Sequence, residues 1–167
     1  MGNEVVVCEG PAIEVRDEAS YKGVFAREII KRGSVILYLK GTISTQPSKY
    51  TIQLDAQRHL NSPRGTNPRV DPDYSWQYLN HCCEPNGYIN VSELSLRALR
   101  DISPGEEITF NYLTTESVMA MPFTCICGSL NCFGFIQGRN FLTPAQSDIL
   151  AFSMGEASAV NQASFSG

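Results

Sequence analysis

The sequence predicts a single, mainly β domain, and three observations support this fold class. First, 167 residues with 43% hydrophobic side chains are enough for one domain with its own core, since domains usually run to about 100–150 residues. Second, short runs typical of strands alternate with Gly, Pro and Ser breaks along most of the chain. Third, a helical pattern occurs only near the C-terminus.

The predicted strands are short runs of β-branched, aromatic and aliphatic residues that end at turn residues. They cover residues 5–8, 13–15, 24–26, 35–39, 50–54, 88–91, 94–99 and 107–110. Residues 61–73 (NSPRGTNPRVDPD) contain three prolines and almost no apolar side chain, which predicts a loop. The spacing of the strands favours several small sheets over one large one.

One helix is predicted, over residues 144–154. Thr143 is suited to the N-cap position, and Pro144 is suited to the first helical position. The loosely apolar face of this helix carries Ile149, Leu150, Phe152 and Met154. Residues 155–167 (GEASAVNQASFSG) are predicted to form a flexible tail.

The charge and hydropathy exclude several classes of partner. Thirteen basic and seventeen acidic side chains give a net charge of −4 and a pI near 5.2, so we expect no direct nucleic acid binding. The longest uncharged apolar run, around residues 34–39, is far shorter than the roughly 20 residues of a membrane helix, and the N-terminus lacks a secretory signal pattern. We therefore expect a soluble intracellular protein with no membrane association, in the cytoplasm or the nucleus.

The cysteines indicate a metal site. The chain has six of them: Cys8, Cys82, Cys83, Cys125, Cys127 and Cys132. Without a secretory signal, metal binding or catalysis is favoured over a disulfide framework. The last three fall within the eight residues CICGSLNC, a spacing typical of ligands to one zinc ion. A structural zinc site needs a fourth ligand, for which the Cys82 and Cys83 pair is the obvious donor and His81 a weaker one. Cys8 is interpreted as a side chain that packs in the protein interior.

Two further segments are weak signals on their own. YLNHCCEPNGYIN, residues 78–90, places Asn80 and His81 next to two cysteines and before a Pro–Asn–Gly turn. Considered alone, His81 is more often a hydrogen-bonded structural histidine than a ligand or a base, and Asn80 can satisfy turn amides. PGEEITFNYL, residues 104–113, by itself predicts an ordinary turn and strand.

In combination the motifs are specific. An NHxCxPN segment is followed about twenty residues later by GEExxxxY and then by CxCGxxxC. In this order and spacing the chain resembles the SET-domain family of protein-lysine methyltransferases with a cysteine-containing post-SET segment. The resemblance begins at YKGVFARE from Tyr21, continues through RGSVILYLKG at 32–41 and ends at CFGFI at 132–136, about two thirds of the chain.

The resemblance implies a fold and a division of the chain. The fold is the SET-domain fold, with small curved sheets and a knot-like C-terminal threading, together with a zinc-binding post-SET loop and a short C-terminal helix. The SET domain would cover residues 1–120, the post-SET zinc segment 121–138, the helix 139–154 and the flexible tail 155–167.

The resemblance also implies cofactors and roles for particular residues. The cofactor would be S-adenosylmethionine, in contact with Asn80 and His81 and, at its methionine end, with the backbone of Lys22 and Gly23. Tyr112 would line the transfer site, next to both the cofactor and the substrate lysine, as the catalytic residue. One structural zinc ion would be bound by Cys83, Cys125, Cys127 and Cys132, and Cys82 would occupy the variable position of the motif.

The sequence departs from the family pattern at several positions. Tyr21 stands where the family has the first glycine of a GxG segment, next to the cofactor, and Asn111 stands where an Asp commonly precedes the tyrosine. Gln77 replaces a usually basic residue, and Tyr38 with Leu39 replaces a Glu–aromatic pair.

The sequence is compatible with three functions. The first is a lysine N-methyltransferase that acts on a protein or peptide. The second is a protein of the same fold that has lost methyl transfer and serves as a binding module. The third is an enzyme of this fold that acts on a small molecule, since fold does not determine function. Tyr21 discriminates among them, because blockage of the cofactor site by its side chain would favour the second and third.

Overall fold

The computed structural model describes residues 12–18, 21–68 and 71–163, and this part of the chain is mainly β. Its strands are β1 Ile13–Glu18, β2 Tyr21–Ala26, β3 Val35–Tyr38, β4 Thr42–Ser44, β5 Ile52–Gln53, β6 His59–Asn61, β7 Asn80–His81, β8 Gly87–Asn90, β9 Ser95–Ala98, β10 Glu107–Phe110, β11 Phe123–Thr124 and β12 Phe135–Ile136. Three 3-10 helices cover Pro72–Tyr78, Tyr112–Thr114 and Arg139–Phe141, and one α-helix, α1, covers Pro144–Ala163.

The strands form four small sheets, as the sequence predicts. Their strand orders are β1-β2-β10-β7, β3-β9-β8, β4-β6-β5 and β11-β12. All neighbouring strands are antiparallel except β7 and β10, which are parallel. In that parallel pair Asn80 lies opposite Thr109 and His81 lies opposite Phe110. The NHxC motif is therefore held beside the end of β10, which leads directly to Tyr112.

Most of the strand predictions are confirmed. Seven of the eight predicted runs overlap observed strands, and the eighth, residues 5–8, lies outside the described residues. The sequence does not predict five strands of two or three residues each: β4, β6, β7, β11 and β12. Among them, β4 and β6 each carry a single aliphatic residue, Ile43 or Leu60. β4 and β6 pair with each other, and β6 also pairs with β5, so their β conformation depends on strand pairing more than on a local pattern.

The connection at 61–73 is a loop over the described residues 62–68, as predicted, but its end is helical. Asp71 caps the 3-10 helix Pro72–Tyr78 with its side chain, which accepts a hydrogen bond from the Asp73 amide. Pro72 at the first helical position has the backbone angle that a helix start requires. This helix buries Trp76, whose indole N–H donates to the Lys40 carbonyl at 2.9 Å.

Helix α1 begins where predicted and ends later. The Thr143 hydroxyl accepts from the Gln146 amide at 3.2 Å, and the Gln146 side chain accepts from the Thr143 amide at 3.0 Å, which forms a capping box. The predicted end at Met154 and the predicted tail are wrong as far as Ala163, because the helix continues through these residues. Gly155 costs a helix only about 1 kcal/mol relative to Ala, and no proline follows.

Two hydrophobic clusters stabilise the fold. The larger one lies among the sheets and includes Val24, Leu96 and Ile108, all fully buried. The smaller one surrounds the cysteine-rich segment and consists of Cys83, Leu113, Phe133, Ile136 and Leu150. Of the predicted apolar face of α1, only Leu150 is buried in this second cluster, whereas Ile149, Phe152 and Met154 are exposed. The helix therefore packs against the cysteine-rich end of the molecule.

None of the helices in the described part of the chain is long and apolar enough to cross a membrane.

Candidate active site and metal centre

One open cleft of about 830 Å³ contains most of the predicted site residues. Lys22, Asn80, His81 and Tyr112 all line it. Gly23 is not among the lining residues, but it lies directly behind the wall, where a Cβ atom would come within 2.8 Å of Glu107 Oε1. The cleft therefore brings together residues from β2, from β7 and from the end of β10.

The side-chain amide nitrogen of Asn80 anchors this residue in the cleft wall. Its Nδ2 donates to the Lys22 carbonyl at 2.7 Å and to Glu107 Oε1 at 2.8 Å, and it lies 3.2 Å from the Tyr21 hydroxyl. An amide has only two N–H donors, so these three acceptors share them. The anchoring fixes Asn80 to β2 and β10 together. Glu107 is a site residue that the sequence analysis missed, although the GEE run of the GEExxxxY motif contains it.

Tyr21 lies at the edge of the cleft and is 45% exposed. Burial of its hydroxyl, together with a hydrogen bond to the Glu107 carboxylate, raises the pKa of Tyr21 to about 12. The side chain is thus a neutral phenol near neutral pH, directed toward Asn80 and Glu107. The departure from the family glycine therefore adds a polar contact to the site.

Tyr112 is held at both ends. Its hydroxyl donates to the Leu79 carbonyl at 2.6 Å, and its backbone amide donates to His81 Nδ1 at 3.1 Å. Burial, aided by the negative charges of Glu107 and Glu116, raises the pKa of Tyr112 well above its usual value. The phenol is neutral, and because its proton is already donated, its oxygen offers lone pairs to a further donor.

An aromatic wall surrounds the Tyr112 ring. The ring centroids of Phe110, His81 and Phe123 lie 4.9, 5.2 and 5.9 Å from that of Tyr112. The three rings come from β10, β7 and β11, so three separate segments pack around the Tyr112 ring and form a largely aromatic wall of the cleft. Such a wall disfavours a charged amine, because burial in a low-dielectric site favours the neutral form.

Glu116 is a second carboxylate that the sequence analysis missed. It is buried beside the cleft, where its Oε1 accepts from the Gln53 amide at 2.8 Å and from the Thr115 hydroxyl at 3.1 Å. Burial raises the pKa of Glu116, although these hydrogen bonds oppose the shift. Its position ties the turn after Tyr112 to strand β5.

The four cysteines implied by the family resemblance converge. The sulfur atoms of Cys83, Cys125, Cys127 and Cys132 all lie within 4.8 Å of one another. The Cys83 sulfur is 3.7 Å from that of Cys125 and 3.8 Å from that of Cys132. Zinc–sulfur bonds of about 2.3 Å at tetrahedral angles place sulfur atoms about 3.8 Å apart, so the cluster has the dimensions of a zinc site.

The structure also distinguishes between the candidates for the fourth position. Cys83 joins the cluster, whereas the Cys82 sulfur lies next to the Glu84 carbonyl at 3.3 Å and the Ser129 hydroxyl at 3.8 Å. Among the described residues, His81 does not belong to the metal-binding cluster. Its Nδ1 accepts a hydrogen bond from the Tyr112 amide, and its Nε2 faces the Cys83 sulfur.

The cysteine-rich segment is shaped by glycines and by a short sheet. Gly128 and Gly134 both have φ near +73°, a conformation that side chains rarely adopt, and they flank a turn in which the Cys132 amide donates to the Ser129 carbonyl at 3.1 Å. Strands β11 and β12 pair at the base of this loop. Residues 125–127 line the same cleft as Tyr112. Order in the cysteine cluster therefore shapes one wall of the candidate active site.

Comparisons with known proteins agree with this architecture. A family model described as "SET domain" matches residues 22–113, more than half of the chain. Methyltransferase flvH of Aspergillus flavus is 35% identical over 118 residues, which cover 62% of this chain and 66% of that protein. The H3 lysine-36 specific histone-lysine N-methyltransferase of Aspergillus oryzae is 44% identical over 69 residues, which cover 38% of this chain and 7% of that protein.

A solved structure shares the fold. It is KRYPTONITE in complex with mCHH DNA, an H3(1-15) peptide and SAH, with a TM-score of 0.54, 24% identity, and coverage of 74% of this chain and 29% of that one. This chain therefore spans less than two thirds of the length of each of these three proteins. Since the family model covers most of the cleft-forming strands as well as Tyr112, the chain belongs to the SET domain family.

Proposed function

We propose that this protein is an S-adenosylmethionine-dependent N-methyltransferase that acts on a lysine side chain of a protein or peptide. One observation carries the proposal: the proposed cofactor contacts, Lys22 and Asn80, and the proposed catalytic residue Tyr112 line a single cleft. Methyl transfer needs its two reactants side by side, and this cleft offers room for both. Similarity to a histone-lysine N-methyltransferase supports a peptide lysine as the acceptor.

The residues of the cleft fit the cofactor. Its volume of about 830 Å³ falls within the range of about 300–1,000 Å³ that is usual for small-molecule sites. Asn80, whose amide is fixed by Lys22 and Glu107, is the proposed contact, together with His81 and the backbone of Lys22 and Gly23. When bound, S-adenosylmethionine supplies a methyl group activated by a sulfonium.

The chain's own residues have two tasks in this chemistry. The aromatic wall around Tyr112 excludes water and favours the neutral form of a lysine amine, whose ordinary pKa is near 10.4. The Tyr112 oxygen, with its own proton donated to Leu79, accepts an N–H from that amine and so orients the nitrogen lone pair. Alignment at about 3–3.5 Å is the main requirement of such a displacement, and no strong base is needed.

The proposed metal centre has a structural role. Its four ligands are all cysteines of this chain, so no position is left for water or substrate, as in closed zinc sites. Burial raises the pKa of the Cys83 thiol and raises that of Cys125 to about 11, so a divalent cation is needed to favour thiolates at these two ligands. At Cys127 burial also raises the pKa, but hydrogen bonds, first of all from the Ser129 hydroxyl, outweigh it and lower the pKa to about 5. In this proposal residues 121–138 form the zinc segment that completes the cleft of a SET domain at 1–120.

The test is a methyl-transfer assay on the zinc-loaded protein with labelled S-adenosylmethionine. Histone H3, an H3 peptide and free lysine serve as acceptors. Label in a histone or peptide lysine is the expected result. Label in free lysine alone would contradict the peptide substrate and favour the small-molecule enzyme. No transfer to any acceptor, together with retained cofactor binding, would favour the binding module.

A further inference from the structure

His81 uses both of its ring nitrogens within the chain. Its Nδ1 lies 3.1 Å from the backbone amide of Tyr112. A backbone amide can only donate, so this nitrogen carries no hydrogen, and the hydrogen of the neutral ring is assigned to Nε2. Nε2 lies 3.2 Å from the Cys83 sulfur. The imidazole therefore donates to a sulfur of the cysteine cluster with one nitrogen and accepts from Tyr112 with the other.

The Cys83 sulfur is a good acceptor for this hydrogen bond. The residue is only 3% exposed, and its sulfur also accepts the Phe133 amide at 3.3 Å. Two N–H groups thus point at one buried sulfur. Hydrogen bonds to a thiolate stabilise the charged, metal-binding form and fix its direction, as outer-shell partners do in metal sites generally.

The ring itself has little freedom to move. Its backbone is paired with Phe110 in the parallel β7 and β10 strands, and its edges meet the rings of Tyr112 and Phe123 at 5.2 and 5.6 Å between centroids. Because the ring is held in this way, a displacement of the Cys83 sulfur would also displace the Tyr112 amide, and the reverse.

We propose that His81 is the positioning residue that joins the metal centre to the transfer site, by donating Nε2–H to the Cys83 thiolate and accepting the Tyr112 amide. The inference rests on the proposed zinc site and is independent of whether the protein transfers methyl groups. It also limits how His81 meets the cofactor: both ring nitrogens are engaged, which leaves the backbone and the ring face for that contact.

Two substitutions separate the two hydrogen bonds. In His81→Asn the side-chain oxygen can replace Nδ1 as the acceptor of the Tyr112 amide, but the side chain is too short to reach the Cys83 sulfur. In His81→Gln the amide nitrogen can replace Nε2 as the donor to sulfur, while the acceptor for Tyr112 is lost. His59, the only other histidine of the chain, is buried in β6 outside the cysteine cluster, and His59→Asn is the matched control.

The readouts are the zinc dissociation constant, by competition with a chromogenic chelator, and the thiolate-to-metal absorption of the cobalt-substituted protein. We expect His81→Asn to weaken zinc binding by about 10–100-fold and to shift the cobalt band, which is the usual effect of losing an outer-shell partner. His81→Gln should bind zinc more tightly than His81→Asn, and His59→Asn should bind it as the wild type does.

Two results would overturn the inference. Wild-type zinc affinity in His81→Asn would show that the hydrogen bond to Cys83 contributes nothing. Equal loss of affinity in the Asn and Gln variants would show that the ring acts by packing alone. A wild-type protein that binds neither cobalt nor zinc would overturn the metal centre and the inference with it, whereas loss of methyl transfer alone would leave the zinc measurements unaffected.

Discussion

Replacement of Tyr112 by Phe tests the transfer site and the stability of the fold together. The substitution keeps the ring and removes the hydroxyl that donates to the Leu79 carbonyl at 2.6 Å. Leu79 is 3% exposed, so its carbonyl would lose this hydrogen bond in a buried place. Leaving a buried polar group unpaired costs about 1–3 kcal/mol. In a domain of this size that lowers the midpoint of thermal unfolding by roughly 2–12 °C.

The same hydroxyl is proposed to orient the amine, so methyl transfer should fall by more than stability alone explains. Loss of one oriented hydrogen bond in a transition state reduces the rate on the order of tenfold to a thousandfold. Rates are measured with zinc-loaded protein well below its unfolding midpoint, with saturating cofactor and a histone H3 peptide. Tyr38→Phe is the control, because the Tyr38 side chain is 60% exposed on β3 and does not line the cleft.

The two readouts of Tyr112→Phe can fail separately. An unfolding midpoint equal to that of the wild type would refute the hydrogen bond to Leu79 as a stabilising contact. A wild-type rate in the Phe variant, alongside measurable activity in the wild type, would refute the role of Tyr112 in orienting the amine.

Three further predictions follow from individual contacts. Cys83→Ser should abolish stoichiometric zinc by elemental analysis while Cys82→Ser retains it, and equal retention would contradict the assigned ligand set. Gly23→Ala should lower cofactor affinity and the midpoint of thermal unfolding, because the new Cβ would displace Glu107 from Asn80. As a control, Gly155→Ala places its Cβ in open space and should stabilise helix α1 by up to about 1 kcal/mol. Equal effects of the two substitutions on the unfolding midpoint would contradict the predicted clash at Gly23. The hydrogen bond from Arg100, with those from the Ser103 amide and Asn86, lowers the pKa of Glu106 to about 2. Its stabilising contribution is therefore complete above the ordinary value of 4.5 and is lost as the pH falls toward 2, so Glu106→Gln should weaken the acid dependence of the unfolding midpoint.

Local sequence patterns predicted most of the strands but not how they pair. Runs such as 107–110 show a β pattern by themselves, whereas the insertion of β10 between β2 and β7 depends on contacts distant in sequence. Strand β4 is the clearest case, since it has a weak local pattern and pairs only with β6 in its sheet. The end of α1 differs from the prediction for the opposite reason: the segment 155–163 resembles a flexible tail in composition, but its three alanines, with Glu156 and Gln162, are good helix formers.

The candidate site divides in the same way. The spacing of Cys125, Cys127 and Cys132 predicted three ligands of one site, and the resemblance to the SET family supplied the fourth. The spacing of the cysteines does not distinguish Cys82 from Cys83 as the fourth ligand. Side chains of adjacent residues point in different directions, and the structure brings only the Cys83 sulfur to the cluster. Glu107 and Glu116 were missed because their partners, Asn80 and Gln53, come from distant strands.

The proposed zinc ion and the cofactor belong to one functional unit, and isothermal titration calorimetry with S-adenosylmethionine tests this coupling most directly. Residues 125–127 line the same cleft as Asn80 and Tyr112, so the zinc-loaded protein should bind one cofactor per chain and the chelator-stripped protein should lose affinity. Absence of binding heat for the zinc-loaded protein at millimolar cofactor would contradict the methyltransferase proposal. Equal affinity with and without zinc would contradict the coupling of the metal centre to the cleft.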